Sequence, residues 1–292
     1  MPRKPPFSKS NARYTLVDSG HQRKLERFGP CLIARPASQA IWEPMLPTTE
    51  WEQADAVFTR EGACQWLKSA PESWIVALAG MDFKVSPTQF GHLGLFPEQK
   101  ELWTWLANTI QEAVASTHHP LRVLNLFAYS GGATLFAAKA GAAVCHVDAS
   151  KGMVAWAGEN AKINGLEDRP IRWIVDDVRK FLHRQIRKGS RYDGIIIDPP
   201  TYGRGSQGQV FTWEKDVLNV LKSCRRLLSD TPLFFLLSSH TLYVTSLGLR
   251  HLLEQTIDSL KGSIDHGEML SEGRKGVLPL SSGVFARWRH GA

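Results

Sequence analysis

Nowhere does the chain carry the roughly 18 consecutive apolar residues that a membrane-spanning helix requires. Its opening, MPRKPPFSKSNAR, is basic and proline-rich and lacks the apolar stretch of a secretory signal. Cysteine is scarce. The four residues Cys31, Cys64, Cys145 and Cys224 are scattered, with no C-x-x-C pair. This argues against a zinc knuckle or a disulfide scaffold and fits a reducing cytoplasm. The ten histidines fall in no H-E-x-x-H spacing, so no metal is expected. Repeats and low-complexity blocks are missing as well. The most informative lack is of glycine in one loop. The stretch VLNLFAYSGG, residues 123–132, begins like a buried strand and ends in two glycines. Phe127 and Tyr129 stand where a nucleotide-binding loop has glycine.

What is present is a chain of 292 residues, 43% apolar, with a formal net charge of +7. That length suits a large and a small domain. The charge tilts the expected partner toward a polyanion, and residues 1–13 read as a basic tail. Residues 14–90 contain short apolar runs broken by Pro and Gly, among them YTLVDSG and WIVALAGMDFKVSP, the texture of hairpins in a small β-rich domain. Residues 91–292 change character. FPEQKELWTWLANTIQEAVA predicts a helix with Leu102, Trp105, Leu106 and Thr109 on one face. From Leu121 onward strands alternate with helical segments, the pattern of an α/β domain with a parallel sheet covered on both faces. The tail, GSIDHGEMLSEG and GVFARWRHGA, predicts a closing antiparallel pair.

In such sheets ligands sit at the carboxyl ends of the strands, where the strand order reverses. The strand ends here are residues 127–132, Asp148, Asp176–Asp177, Asp198–Pro200 and Ser238–His240. Gly131 and Gly132 supply a tight turn. A pyrophosphate needs the tighter G-x-G-x-x-G with bare helix-start amides, which Phe127 and Tyr129 would obstruct, so a nicotinamide dinucleotide is disfavoured. Asp148 lies 23 positions after Asn125, where an acid can accept both hydroxyls of a ribose. A ribose without a diphosphate points to S-adenosylmethionine, with Asp177 able to accept from the adenine amine.

The motifs NLFAYSGG, VDASKGMVAWAGENAKINGL, DDVRKF and DPPTYGRG, together with GHLGLFPEQ, resemble the class I methyltransferases of large-subunit ribosomal RNA, the group with cytosine-C5 and guanine-N7 branches. The resemblance implies a Rossmann-like domain with a mostly parallel seven-stranded sheet, preceded by a small β-rich domain. It also implies S-adenosylmethionine as cofactor, a cytoplasmic location, RNA as partner, and a monomer or homodimer. The cofactor set it points to is Phe96, Gln99, Asn125, Phe127, Tyr129, Ser130, Gly131, Gly132, Asp148, Ala149, Ser150, Asp177, Val178 and Asp198.

The reaction loop is IIIDPPTYGRG. Pro199 and Pro200 stiffen the turn after a buried strand and leave Asp198 at its end. Asp198, Pro199, Pro200 and Tyr202 form the candidate catalytic group, and Tyr202, Arg204 and His240 the candidate substrate contacts. Thr201 puts Tyr202 one place later than in the [DN]-P-P-[YF] loops of related amine methyltransferases. Cytosine C5 is not nucleophilic, so its methylation needs an attacking cysteine. Neither DPPTY nor LLSSHTL contains one, and Cys224 falls on an apolar helix face. Nitrogen methylation of a base is therefore expected. The alternatives are cytosine-C5 methylation, a non-RNA acceptor, or a non-catalytic RNA-binding protein that keeps the fold. A basic set, Arg179, Lys180, Arg184, Arg187, Lys188, Arg191 and Arg204, flanks the expected reading surface.

Overall fold

The structure is a computed structural model that describes residues 13–60, 64–68, 70–116, 120–205 and 208–291. The chain divides into two compact units, residues 1–100 with 270–281, and residues 101–269 with 282–292. Of the expected basic tail only Arg13 lies within the described residues, bridging to Ala77.

The first unit contains β1 (Tyr14–Gly20), β2 (Arg23–Phe28), β3 (Cys31–Pro36), α1 (Thr48–Glu52), β4 (Ala56–Thr59), β5 (Gln65–Lys68), β6 (Trp74–Leu78) and β7 (Met81–Val85). β1 to β5 form one sheet in chain order, and β6 and β7 form a separate hairpin. Two of its turns have the two-residue form whose backbone is left-handed at both positions: His21–Gln22 (φ 48° and 58°) and Ala79–Gly80 (φ 50° and 77°).

The boundary differs from the one at residue 90 read from sequence. Residues 91–95 belong with the first unit because Arg35 donates to the Gly91 carbonyl at 3.0 Å, the Ser86 N–H donates to the Leu93 carbonyl, and Leu93 and Leu95 are buried. Residues 270–281 join it because the Leu16 N–H donates to the Glu272 carbonyl and Leu280 packs with Leu16, Ala37 and Ala40.

The second unit is built on α2 (Lys100–Ser116), β8 (Arg122–Leu126), α3 (Gly132–Lys139), β9 (Ala143–Asp148), α4 (Lys151–Ile163), β10 (Ile171–Val175), α5 (Val178–Arg187) and β11 (Gly194–Ile197). It continues with β12 (Tyr202–Arg204), β13 (Val210–Thr212), α6 (Trp213–Leu227), β14 (Phe234–Ser239), α7 (Ser246–Thr256), β15 (Gly262–Ser271) and β16 (Leu280–His290). The sheet order is β10-β9-β8-β11-β14-β16-β15. β10, β9, β8, β11 and β14 are mutually parallel, and β16 pairs antiparallel with β14. This is the expected mostly parallel seven-stranded sheet. β15 and β16 supply the closing strands read from the tail.

The central strands β8, β9, β11 and β14 are largely buried on both faces, and alternation sorts their residues between two layers. Leu124, Leu126, Ile195, Ile197, Phe235 and Leu237 pack with residues of α5, α6 and α7. Val123, Ile196, Phe234 and Leu236 pack with α2 and α3. The α2 face buries Leu102, Trp103, Leu106, Thr109 and Ile110. Trp105, which the sequence put on that face, is only partly buried against the core. The chain runs β8, β9, β10 outward and returns to β11 on the other side of β8, so the order reverses between β8 and β11.

Candidate active site

The loop after β8 keeps the backbone of a glycine loop without the glycines. Phe127 and Tyr129 both have positive φ, 56° and 51°. Each such non-glycine residue costs on the order of 1–3 kcal/mol and persists only where its surroundings hold it. Two contacts do so. The Phe127 ring packs on Phe211, centroids 5.0 Å apart, and the Tyr129 N–H donates to Asp148 Oδ2 at 2.9 Å. The glycines that follow have a packing reason of their own. Gly131 has φ 93°, and a Cβ there would lie 2.9 Å from the Ala157 Cβ. A Cβ on Gly132 would meet the Trp103 ring at 2.3 Å. Packing of α3 against α2 and α4 thus already requires both residues.

Below this loop Asn125 is buried. Its amide donates to Thr134 Oγ1 at 2.9 Å, and that hydroxyl lies 2.9 Å from His146 Nδ1. Burial lowers the His146 imidazole to about 3, so it is neutral. This network gives Asn125 a structural task between β8, α3 and β9. Ser130 is likewise buried, its carbonyl accepting from the Asn160 amide at 3.0 Å.

Asp148 ends β9. One carboxylate oxygen accepts the Tyr129 N–H and the other the Ser150 N–H, at 2.9 and 2.8 Å. Burial pushes its carboxyl above the ordinary value, and the two backbone bonds only partly offset this. Each oxygen retains lone-pair capacity. Neutral hydroxyl donors satisfy that capacity, which is the requirement of a ribose. Ala149 follows at the strand end, and Ser150 caps α4, its hydroxyl accepting from the Met153 N–H.

Asp177, at the next strand end, caps α5. Its Oδ1 accepts the N–H groups of Arg179 and Lys180 at 3.0 and 3.1 Å, and Oδ2 pairs with the Arg179 guanidinium at 3.3 Å. Oδ2 is the oxygen with room for a further donor. The Val178 side chain is core, packed among the residues under α5.

The reaction loop leaves β11 beside both β8 and β14. Asp198 and His240 come together there: Asp198 Oδ1 is 3.5 Å from His240 Nδ1, and both side chains are about a quarter exposed (22% and 28%). Pro199 and Pro200 carry the chain to Thr201, whose hydroxyl meets that of Thr241 at 2.8 Å. Thr201 is thus a latch between the loops after β11 and β14. Tyr202 then opens the β12–β13 hairpin, a feature not visible in the sequence. Its hydroxyl accepts from Arg204 Nε at 2.8 Å. Of the flanking basic set, Arg179 pairs with Asp177 and Asp216, and Arg184 pairs with Asp176, so neither is a loose phosphate contact.

Phe96 and Gln99 lie in the first unit. Phe96 precedes a single 3-10 turn, Pro97–Gln99, and its ring is 5.5 Å from that of His92. No group of three or more potential metal ligands occurs among the described residues.

The parallel sheet, its reversal between β8 and β11 and the acids at successive strand ends define a Rossmann-like, nucleoside-binding enzyme domain. Residues 53–266 match the model of the S-adenosylmethionine-dependent methyltransferases, and the chain belongs to that family. S-adenosylmethionine is its methyl donor. A SAM-dependent methyltransferase from Agrobacterium tumefaciens is 39% identical, with a TM-score of 0.87 over 94% of this chain and 90% of that one. Ribosomal RNA large subunit methyltransferase K/L of Shewanella baltica is 32% identical over 154 residues, 52% of this chain. Ribosomal RNA large subunit methyltransferase K of Neisseria meningitidis is 29% identical over 181 residues, 60% of this chain. These alignments span 20% and 49% of the respective relatives.

Proposed function

We propose that the chain methylates a nitrogen of a nucleobase in ribosomal RNA, in the cytoplasm. The observation that carries the choice of atom is the Asp198–His240 pair at the carboxyl end of β11, in a site whose strand-end loops contain no thiol. Cys145 lies within β9 and Cys224 in the core beneath α6, both buried, and burial pushes both thiols up. The strand-end loops thus offer no thiolate for attack on a cytosine ring. The relatives that act on ribosomal RNA support the acceptor.

S-adenosylmethionine supplies an electrophilic methyl group on a sulfonium. Asp148 would accept the ribose hydroxyls and Asp177 Oδ2 the adenine amine, with the backbone of Phe127, Tyr129, Ser130, Gly131 and Gly132 and that of Ala149, Ser150 and Val178 lining the rest. Asp198 accepts an N–H of the acceptor base, and His240, oriented by Asp198, takes the proton the nitrogen loses. Pro199 and Pro200 hold that carboxylate in place, and most of the gain comes from positioning. Tyr202 stacks on the base and Arg204 contacts a phosphate. A base within folded RNA must be turned out of its stack to arrive there.

Incubation with ribosomal RNA and methyl-labelled donor, followed by nucleoside analysis, tests the reading. An N-methylated base is expected. A C5-methylated cytosine, or a denaturation-resistant adduct with RNA containing 5-fluorocytosine, overturns it.

A further inference from the structure

The loop after β14 is inverted in polarity. Thr241 is buried (4% exposed), whereas the next two residues, Leu242 and Tyr243, are 78% and 58% exposed. Solvent ordinarily selects the opposite arrangement, and clustered exposed apolar groups mark an interaction surface. Two ties hold the loop in this state. The Thr201–Thr241 hydroxyl contact turns Thr241 inward. The Tyr243 hydroxyl donates to Glu214 Oε1 in the first turn of α6, a contact made at the tip of an exposed ring. The same region carries Tyr202 (52% exposed) at the start of β12 and Val210 (42%) on β13, and the Trp213 N–H donates to the Thr201 carbonyl at 3.1 Å. Tyr202 and Tyr243 therefore project from two segments joined at 201–241 and at 214–243.

We propose that Leu242 and Tyr243 extend the Tyr202–Arg204 surface into a stacking platform for unpaired RNA nucleotides flanking the target base. The inference rests on the RNA reading above. Exposed rings offer π-faces that every base can use, and such platforms bind single strands when a cation accompanies them. Arg204 is that cation: its guanidinium lies 5.9 Å from the Tyr202 ring centre and is bonded to the hydroxyl. Of the bordering acids, Asp216 is paired with the Arg179 guanidinium, and Glu214 remains a charged carboxylate at the edge of the platform. Glu214 accepts from Tyr243, and Asp216 accepts from Arg179 and from the Thr212 N–H. A duplex presents edges and phosphates but not base faces, so the platform selects loops and ends.

Fluorescence anisotropy with an unstructured 12-nucleotide RNA, and with the same sequence as a duplex, tests the platform in the full chain. Calorimetry with S-adenosylmethionine runs alongside. Wild type should prefer the single strand. Leu242→Ser/Tyr243→Ala should weaken single-strand binding by about tenfold or more, the loss expected for one stacked base. Tyr243→Phe, which keeps the ring and drops the Glu214 bond, should stay within about threefold by the same reasoning. Donor affinity should be unchanged in both variants. Single-strand binding by the double variant at wild-type strength overturns the platform and leaves the RNA reading standing. So does a Tyr243→Phe protein as weak as the double variant, because the hydroxyl would then matter rather than the ring. A wild-type protein that binds the donor but neither RNA overturns the RNA reading and the platform with it.

Discussion

Replacing Asp148 by Ala removes the acceptor assigned to both ribose hydroxyls. A hydrogen bond to a charged acceptor contributes about 1.5–3 kcal/mol. Two of them at the lower limit total about 3 kcal/mol, or roughly a 150-fold weaker Kd for S-adenosylmethionine. The same change strands the N–H groups of Tyr129 and Ser150, which now donate to the carboxylate. Asp148→Asn separates the two effects. It keeps one oxygen for one backbone donor and removes a buried charge, so the cofactor-free protein should melt close to wild type while affinity still falls. Dependence on pH gives an independent reading. The carboxyl of Asp148 is raised by burial above the ordinary 3.8. In the cofactor-free protein this contribution to stability is present below 3.8 and is lost as pH rises through the raised value. Hydroxyl donors favour the ionised form, so donor affinity should move the opposite way. It should begin to fall on acidification at a higher pH than an exposed aspartate would produce. Calorimetric titration of wild type and both variants between pH 5 and pH 8 measures the affinities, and thermal melts of the cofactor-free proteins across pH measure the stabilities. An Asp148→Ala protein that binds within twofold of wild type refutes the ribose assignment.

Gly132→Ala drives a methyl into the Trp103 ring. It should destabilise by about 1–3 kcal/mol, and a thermal melt unchanged from wild type would refute the packing role of this glycine. Of the four thiols, Cys64 is exposed and Cys31, Cys145 and Cys224 are buried. A thiol reagent should therefore titrate one group in native protein and four after denaturation; rapid labelling of Cys145 or Cys224 would contradict the burial.

The central strands were legible because a strand buried on both faces reads as an unbroken apolar run. GIII and FFLLSS are such runs, and every residue of both is buried. The strand-end acids were legible for the related reason that an apolar run ends abruptly at a charge. The β12–β13 hairpin was not, since three-residue strands, YGR and VFT, are too short to show any period. Residues 270–281 could not be assigned to the first unit from local pattern, because their partners Leu16 and Gln39 lie more than 200 positions away. Asp177 carried a cue that went unused: an acid directly before V-R-K-F is also a helix N-cap, and the first turn of α5 claims one of its oxygens. The Asp198–His240 and Thr201–Thr241 contacts depend on β11 and β14 being neighbours, a fact of topology that no single segment encodes.

Aromatics replaced glycines at 127 and 129 without changing the backbone that glycine would have provided, and Phe127 has acquired a connection that glycine could not make. Phe127 reaches Phe211 on β13, the second strand of the hairpin that Tyr202 opens. Tyr129 presents its N–H to Asp148. The loop after β8 thus touches the acid assigned to the donor on one side and the hairpin assigned to the acceptor on the other. A bare glycine loop could bind phosphates through its amides, but it would leave those two parts of the site mechanically separate. For a methyl transfer, in which little acid–base chemistry is required and alignment of donor and acceptor supplies most of the rate, a rigid tie between them is the more useful property. The cost of two left-handed aromatic residues, on the order of 1–3 kcal/mol each, is small beside the roughly 7–11 kcal/mol that alignment can contribute in favourable cases.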